Sequence, residues 1–160
     1  MKKSVTPTGC CEPFDPKPWE NKTIVWKNKL FVNDQVACFF HIPLNMEKKI
    51  VYNMQLIENA RAKSPYQLML TDGQSPWKSD IYIDVSRNVP DAKVSTLSGT
   101  FLTKVFEGPY QNAGIWANDM KEYVAKKGKT VRKLYFSYTT CPRCAKAYGK
   151  NYVVLFAQID

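Results

Sequence analysis

The sequence contains one histidine, no long apolar run and none of the common nucleotide-binding or zinc-protease motifs. A single histidine excludes a histidine-rich metal site and a Ser-His-Asp triad anchored elsewhere in the chain. We interpret His41 as a structural residue or as part of the rim of a ligand site, in preference to a catalytic residue. No stretch reaches the roughly 18 consecutive apolar residues of a membrane-spanning helix. The sequence therefore predicts no cofactor and no membrane partner, and it assigns no metal ligand.

An odd number of cysteines argues against a secreted protein held together by disulfides. Cys38 lies in an apolar, strand-like run and is predicted to be a small core residue. Cys141 and Cys144 form a Cys-Pro-Arg-Cys loop between two predicted strands, which is compatible with a structural staple or packed thiols, with zinc, or with redox chemistry. Zinc would need two further ligands, and Cys10 and Cys11 lack the usual spacing.

The chain of 160 residues has the length of one domain, and its 44% apolar content is enough for a core. It begins with two lysines and a proline-rich polar stretch and has no apolar signal core, so we expect a cytoplasmic location. Residues 1–22 are predicted to form an extended arm, because prolines at four positions disfavour regular structure. We expect residues 1–160 to form a single domain.

The 23 basic and 14 acidic residues give a net charge of +9. The densest basic run, at 121–133, falls on a predicted helix end and turn, where lysines also suit the negative end of the helix dipole. We interpret it as a solvated face. No recognised nucleic-acid motif accompanies it, so no sequence-specific nucleic-acid partner is expected.

The remaining sequence predicts two similar sets of elements. In the first set, strands at 23–31 and 36–42 precede a helix capped by Asn45, and strands at 66–70 and 80–85 follow it. In the second set, a strand at 94–106 with a bend at Gly99 precedes a helix around Trp116, which ends before Gly128. The closing strands are predicted at 134–138 and 152–158.

An internal spacing of 66 positions relates the two sets. It separates equivalent prolines, methionines and leucines: Pro43 from Pro109, Met54 from Met120, and Leu68 from Leu134. This predicts an α+β fold built from duplicated strand-helix-strand-strand modules at 23–87 and 88–160, with one antiparallel sheet and both helices on one face. We expect a ligand cleft between the halves.

Aromatic residues make up 13% of the chain, and many fall near the expected cleft. Core packing explains any one of them taken singly. Together they are typical of a site for a planar aromatic ligand, and the predicted ligand-binding residues are Phe40, His41, Trp77, Tyr82, Tyr110, Trp116 and Tyr135.

Glu107 is the predicted catalytic carboxylate. It ends a strand and precedes Gly108-Pro109, so the turn can aim it into the cleft, where it would either pair with a cationic drug or position and deprotonate a water molecule. The alternative is an ordinary solvated turn glutamate.

The stretch 106–110 (Phe-Glu-Gly-Pro-Tyr), the Trp116 helix and the last strand resemble the GyrI-like domain family. That resemblance implies tandem modules around a small-molecule site, as in multidrug-sensing regulators and gyrase-inhibitory proteins. The arm before residue 20 is too short and proline-rich for a helix-turn-helix, so we do not expect a self-contained transcription regulator.

The stretch 138–151 is similar to a stand-alone branch, the cyclopropanoid cyclopropyl hydrolases. The resemblance implies a hydrolase that detoxifies DNA-alkylating natural products by adding water to their cyclopropane ring. Glu107 would act as the base, and Tyr138, or Tyr110 or Tyr135, would donate a hydrogen bond to the substrate carbonyl. The alternatives are a drug-sequestering protein without catalysis and a gyrase-interacting inhibitor.

Overall fold

The computed structural model describes residues 15–40, 42–64, 68–72, 77–139, 146 and 149–159, without the side chains of residues 42, 43 and 110. Within these ranges, antiparallel strands and the helices Met46–Asn59 and Ala113–Lys126 confirm the predicted α+β class. The chain forms two compact units. We call Val25–Gly99 the central unit, and Thr100–Asp160 with the residues up to Ile24 the terminal unit. No helix in the described ranges is long and apolar enough to cross a membrane.

The central unit contains one helix and an antiparallel sheet. Its elements are β1 (Lys22–Phe39), β2 (Ile42–Pro43), α1 (Met46–Asn59), β3 (Met69–Asp72) and β4 (Lys78–Asp84). The strand order is β2-β1-β4-β3, and β1 lies opposite β4 with Val32 beside Ile83. The start of β1 belongs to the terminal unit, so the unit boundary falls within this strand.

One face of the central sheet packs against α1. Ile57 of the helix is buried with Val32, Val36, Ile81 and Ile83 from β1 and β4. These strand residues alternate with residues that project from the opposite face of the sheet, where Phe31 and Tyr82 are also buried. The periodicity of the sequence predicted both the helix and these strands.

The terminal unit repeats the order strand, helix, strand, strand. Its elements are β5 (Val94–Glu107), a short 3₁₀ turn (Tyr110–Asn112), α2 (Ala113–Lys126), β6 (Val131–Tyr138) and β7 (Tyr152–Ile159). β7 pairs with β5 on one side and with β6 on the other, both antiparallel. In the central unit β4 lies between β1 and β3, and in the terminal unit β7 lies between β5 and β6.

The two faces of the terminal sheet are both buried. Trp116, Met120 and Val124 of α2 recur at helical spacing and pack on a face that includes Leu155 and Ala157 of β7. The alternate residues of the strands form the opposite face, which holds Phe101, Tyr135 and Phe156. On that face the Trp19 ring meets Phe156 edge-on at 5.6 Å, and Thr103 Oγ1 donates to Trp19 O at 2.6 Å.

Several local expectations differ from the structure. The two strands predicted at 23–31 and 36–42 are largely one continuous strand, β1, because its second half pairs with β4 without interruption. Asn45 occupies the predicted N-cap position of α1 but makes no side-chain cap. Its Oδ1 instead accepts from the Ala37 amide at 2.9 Å, so it ties the helix start to β1.

Candidate active site

The predicted catalytic carboxylate lies at one end of the terminal sheet. Glu107 is the last residue of β5, and its partner directly across the antiparallel pair is Tyr152, the first residue of β7. Paired residues project from the same face, with Cβ atoms roughly 4.5–5.5 Å apart. The Tyr152 ring is therefore the aromatic side chain next to Glu107.

A reciprocal clasp fixes the chain immediately after Glu107. The Gly108 amide donates to Asn151 O at 3.1 Å, and Asn151 Nδ2 donates to Gly108 O at 2.8 Å. Gly108 has φ +145°, a conformation that favours glycine. The clasp holds the end of β5 against the start of β7 and thereby positions Glu107.

An open hollow of about 380 Å³ lies at this end of the sheet. It is lined by Glu107, Gly108, Pro109, Gly149, Lys150 and Asn151. The Glu107 side chain is exposed, and no hydrogen bond or ion pair to another described residue holds its carboxylate. The hollow therefore brings Glu107, with its available carboxylate, together with Lys150 and Asn151.

Tyr138 ends β6 at the same end of the sheet. It lies across from Val153 of β7, which itself lies across from Phe106 of β5. Tyr138 therefore projects from the α2 face with Phe136, whose ring it stacks on at 6.3 Å and 13°. Glu107 follows Phe106 and so projects from the opposite face. The two predicted catalytic residues share one end of the sheet but not one face.

Two predicted ligand-binding rings of this unit are packed in its interior. Trp116 is 5% exposed and stacks on Phe106 at 6.0 Å, on the α2 face. Tyr135 is 2% exposed and lies 6.2 Å from the Phe101 ring on the other face. The side chain of Tyr110 lies outside the described residues.

In the central unit, Phe40 and Trp77 lie together at the surface. Their ring centroids are 5.1 Å apart, and Phe39 contacts both, at 4.7 Å from Phe40 and 5.9 Å from Trp77. All three rings are more than half exposed. Exposed aromatic clusters of this kind are typical of binding surfaces. His41, the next residue, lies outside the described ranges.

Tyr82 is buried in the central unit. It lies on the face of the sheet away from α1 and meets Phe31 edge-on at 6.2 Å. Edge-on contact of this kind stabilises a packed pair of rings.

The described part of the chain offers no group of three or more potential metal ligands. Cys38 is a free, buried thiol, and burial raises its pKa, so that the reactive thiolate is disfavoured. The Cys141–Cys144 loop and the Cys10-Cys11 pair, with their staple, zinc and redox alternatives, lie outside the described residues.

Sequence reasoning missed Lys150 and Asn151 as residues that line the hollow, and Tyr152 as the residue opposite Glu107. Tyr152 was assigned only to the closing strand, and nothing in the local pattern marks which residue of β5 it faces. The signal is the antiparallel pairing of β5 with β7, because this pairing places the end of β5, at Glu107, opposite the start of β7, at Tyr152.

The fold and the hollow define an α+β protein with an available carboxylate beside a tyrosine, compatible with hydrolytic chemistry. The family model for bacterial hydrolases matches residues 1–159. The chain belongs to the bacterial hydrolase family. No curated protein shows a significant match to it.

Two solved structures from Listeria innocua share the fold. A hydrolase has 12% sequence identity and a TM-score of 0.64, and an uncharacterized conserved protein has 11% identity and the same TM-score. In both comparisons the match covers 88% of this chain and 92% of the other. The similarity therefore extends over most of each chain.

Proposed function

We propose that this hydrolase-family protein adds water to the cyclopropane ring of planar aromatic, DNA-alkylating natural products. The product would be a ring-opened compound that no longer alkylates. Membership of the bacterial hydrolase family supports the reaction class. The resemblance of 106–110 to GyrI-like domains and of 138–151 to cyclopropanoid hydrolases supports the substrate class.

The observation that carries the proposal is the position of Glu107. Its carboxylate is exposed at the rim of the hollow, is not tied to another described residue, and lies beside Tyr152. A carboxylate that is already bound to a lysine or a backbone amide is a poorer base, because these contacts favour its charged form. Glu107 is thus available to hold and deprotonate a water molecule.

The reaction needs one base and one hydrogen-bond donor. Glu107 accepts a proton from water as the water oxygen bonds to the cyclopropane methylene carbon. The carbon–carbon bond to the dienone ring breaks, and its electron pair moves through the ring to the carbonyl oxygen. That oxygen becomes a phenolate and takes up a proton, so the net change is the addition of one water molecule. A tyrosine hydroxyl aimed at this oxygen stabilises the developing charge.

Tyr135 is buried and the side chain of Tyr110 lies outside the described residues, so two tyrosines at this end of the sheet compete for the role of donor. The sequence favours Tyr138, whereas the register favours Tyr152, which faces Glu107 directly. Replacing each tyrosine by phenylalanine distinguishes them. Loss of the hydroxyl group that acts as the donor lowers kcat, whereas loss of the other hydroxyl group leaves kcat unchanged.

The test is an incubation with a cyclopropane-containing alkylator, followed by mass spectrometry of the small molecule and the protein. We expect ring-opened product, and a loss of turnover of about a hundredfold or more in Glu107→Gln with ligand binding retained. Glu122→Gln, which removes an exposed carboxylate from α2, is the matched control and should turn over normally. Equal turnover in wild type and Glu107→Gln would remove Glu107 from the mechanism.

A binding protein without catalysis is the second candidate. The surface cluster of Phe39, Phe40 and Trp77 favours it, because exposed rings can stack on a flat drug without chemistry. Stoichiometric protection without ring-opened product would select this function.

We also propose that the two units descend from one duplicated strand-helix-strand-strand module. The 66-residue spacing and the shared strand order of the units support this origin.

A further inference from the structure

Two lysines share one tyrosine ring in the terminal unit. Lys104 Nζ on β5 and Lys127 Nζ at the end of α2 each lie 5.1 Å from the centre of the Tyr123 ring. The two ammonium groups are therefore no more than about 10 Å apart, and cation–π attraction holds each of them against the Tyr123 ring. Tyr123 is half-buried and packs against the core cluster of α2, so the position of its ring is fixed.

Within the part of the chain that the structure describes, no ion pair neutralises these charges. Neither lysine has an ion-pair partner among the described residues. Glu122, about one turn before Lys126, and Asp119, about two turns before it, are exposed and make no ion pair with Lys126 or Lys127. Lys126 and Lys129 add two more exposed ammonium groups next to Lys127 in the chain. We call Lys104, Lys126, Lys127 and Lys129 the basic patch.

The end of the helix does not require this charge. The α2 C-terminus is closed by backbone bonds, in which the Gly128 amide donates to Ala125 O at 2.9 Å and the Lys129 amide to Val124 O at 3.2 Å. Gly128 takes the left-handed conformation that such a cap uses, with φ +73°. The helix dipole places only about half a negative charge here, which four lysines exceed.

We infer that the basic patch binds the phosphodiester backbone of nucleic acid without reading its sequence. A phosphate chain presents regularly spaced negative charges, which neighbouring lysines neutralise with release of counterions. A lipid surface fits less well, because only Ala125 is apolar among the exposed residues of 125–130, and Ile115, a large exposed apolar residue of α2, lies about three turns before Lys126. This inference does not depend on the proposed ring-opening activity.

The test uses the full chain and a labelled 20-base-pair duplex of arbitrary sequence, with binding followed by fluorescence anisotropy over a series of salt concentrations. The variant Lys104→Gln/Lys127→Gln is compared with Lys48→Gln/Lys93→Gln. The control pair removes the same charge from exposed positions of the central unit. Thermal melts verify that both variants remain folded.

We expect the patch variant to bind duplex with about one tenth of the wild-type affinity or less. The slope of log affinity against log salt concentration should fall in magnitude by about two, since two phosphate contacts are lost. The control pair should change the affinity by less than about threefold, and duplexes of unrelated sequence should bind alike. Equal losses in both variants, absence of duplex binding at low salt, or tighter binding to anionic phosphatidylserine vesicles than to DNA would each overturn the inference.

Discussion

Gly108 shows how much the candidate site depends on a single residue. A Cβ atom at this position would lie 3.3 Å from Asn112 Nδ2 and 3.4 Å from Trp116 Cζ2. Its φ of +145° is also a conformation that other residues rarely adopt. The sequence predicted a turn here, but not that the chain passes so close to the Trp116 ring.

Gly108→Ala should therefore destabilise the protein by about 1–3 kcal/mol, from backbone strain and the tight contact. Urea unfolding measures the change. Gly114→Ala is the control: this residue lies in α2, and an added Cβ would meet nothing within 4 Å. The control should be neutral or stabilising by up to about 1 kcal/mol, since alanine favours the helix. A neutral Gly108→Ala would show that the turn can relax.

A second effect at the residue scale concerns pH. Partial burial by itself would raise the pKa of the Asp34 carboxyl, but hydrogen bonds from Asn53 and the Gln35 amide, with the Lys49 charge, hold that pKa below its ordinary 3.8. Because the folded pKa is lowered, Asp34 contributes stability above pH 3.8, and this contribution is lost as pH falls towards the folded pKa.

Asp34→Asn should accordingly make stability less dependent on pH below about 4 than in the wild type. Urea unfolding at a series of acidic pH values tests this, with the exposed Asp91→Asn as the control. If Asp34→Asn loses stability in acid as steeply as the wild type, the carboxylate contacts are not formed in solution.

At the scale of elements, a buried carboxylate connects three segments of the central unit. Asp84 of β4 accepts from Ser64 Oγ, after α1, at 2.6 Å and from Lys29 Nζ of β1 at 2.8 Å. Its side chain is only 1% exposed. A buried charge is stable only when its oxygens are hydrogen-bonded, so both contacts matter.

Ser64→Ala removes one of these contacts and should cost about 1–3 kcal/mol, because a buried carboxylate oxygen loses its donor. Thermal or urea unfolding measures this loss. Ser86→Ala, at an exposed position nearby in sequence, should change stability by less than about 0.5 kcal/mol. Equal effects of the two substitutions would contradict a role for the Asp84 contacts.

At the scale of the whole molecule, the match to the bacterial hydrolase family extends over residues 1–159, so it includes both units. The similarity to the Listeria structures shows a shared fold only, because sequence identities of 12% and 11% do not support a shared function. Function is therefore argued from individual groups. For both proposals these lie in the terminal unit: Glu107 at the hollow, with Tyr152 opposite it on β7, and Lys104 with Lys127 on the basic patch.

Much of the local structure was predictable from periodicity and capping signals. β5, α2 and β7 agree with the predicted elements to within a few residues at each end, and Gly128 ends α2 as expected. The predicted helix around Trp116 is α2, and Trp116, Met120 and Val124, which recur at helical spacing, form its buried face. These features are determined by residues that are close together in the sequence, and they can therefore be predicted from the sequence alone.

The composition of the candidate site was not predictable in the same way. Glu107 could be singled out because it ends a strand before a glycine-proline turn, whereas Tyr152 could not, since its position opposite Glu107 depends on the register of two strands 45 residues apart. The opposite faces of Glu107 and Tyr138 follow from the same register.

By itself, the sequence determined the class of fold, the helices and most strands, because residue spacing and turn chemistry act locally. The tertiary structure alone decided which side chains meet: Tyr152 beside Glu107, Asn151 clasping Gly108, and two lysines on Tyr123. Long-range pairing sets those contacts, and a shift of one residue in strand register would send every side chain to the other face.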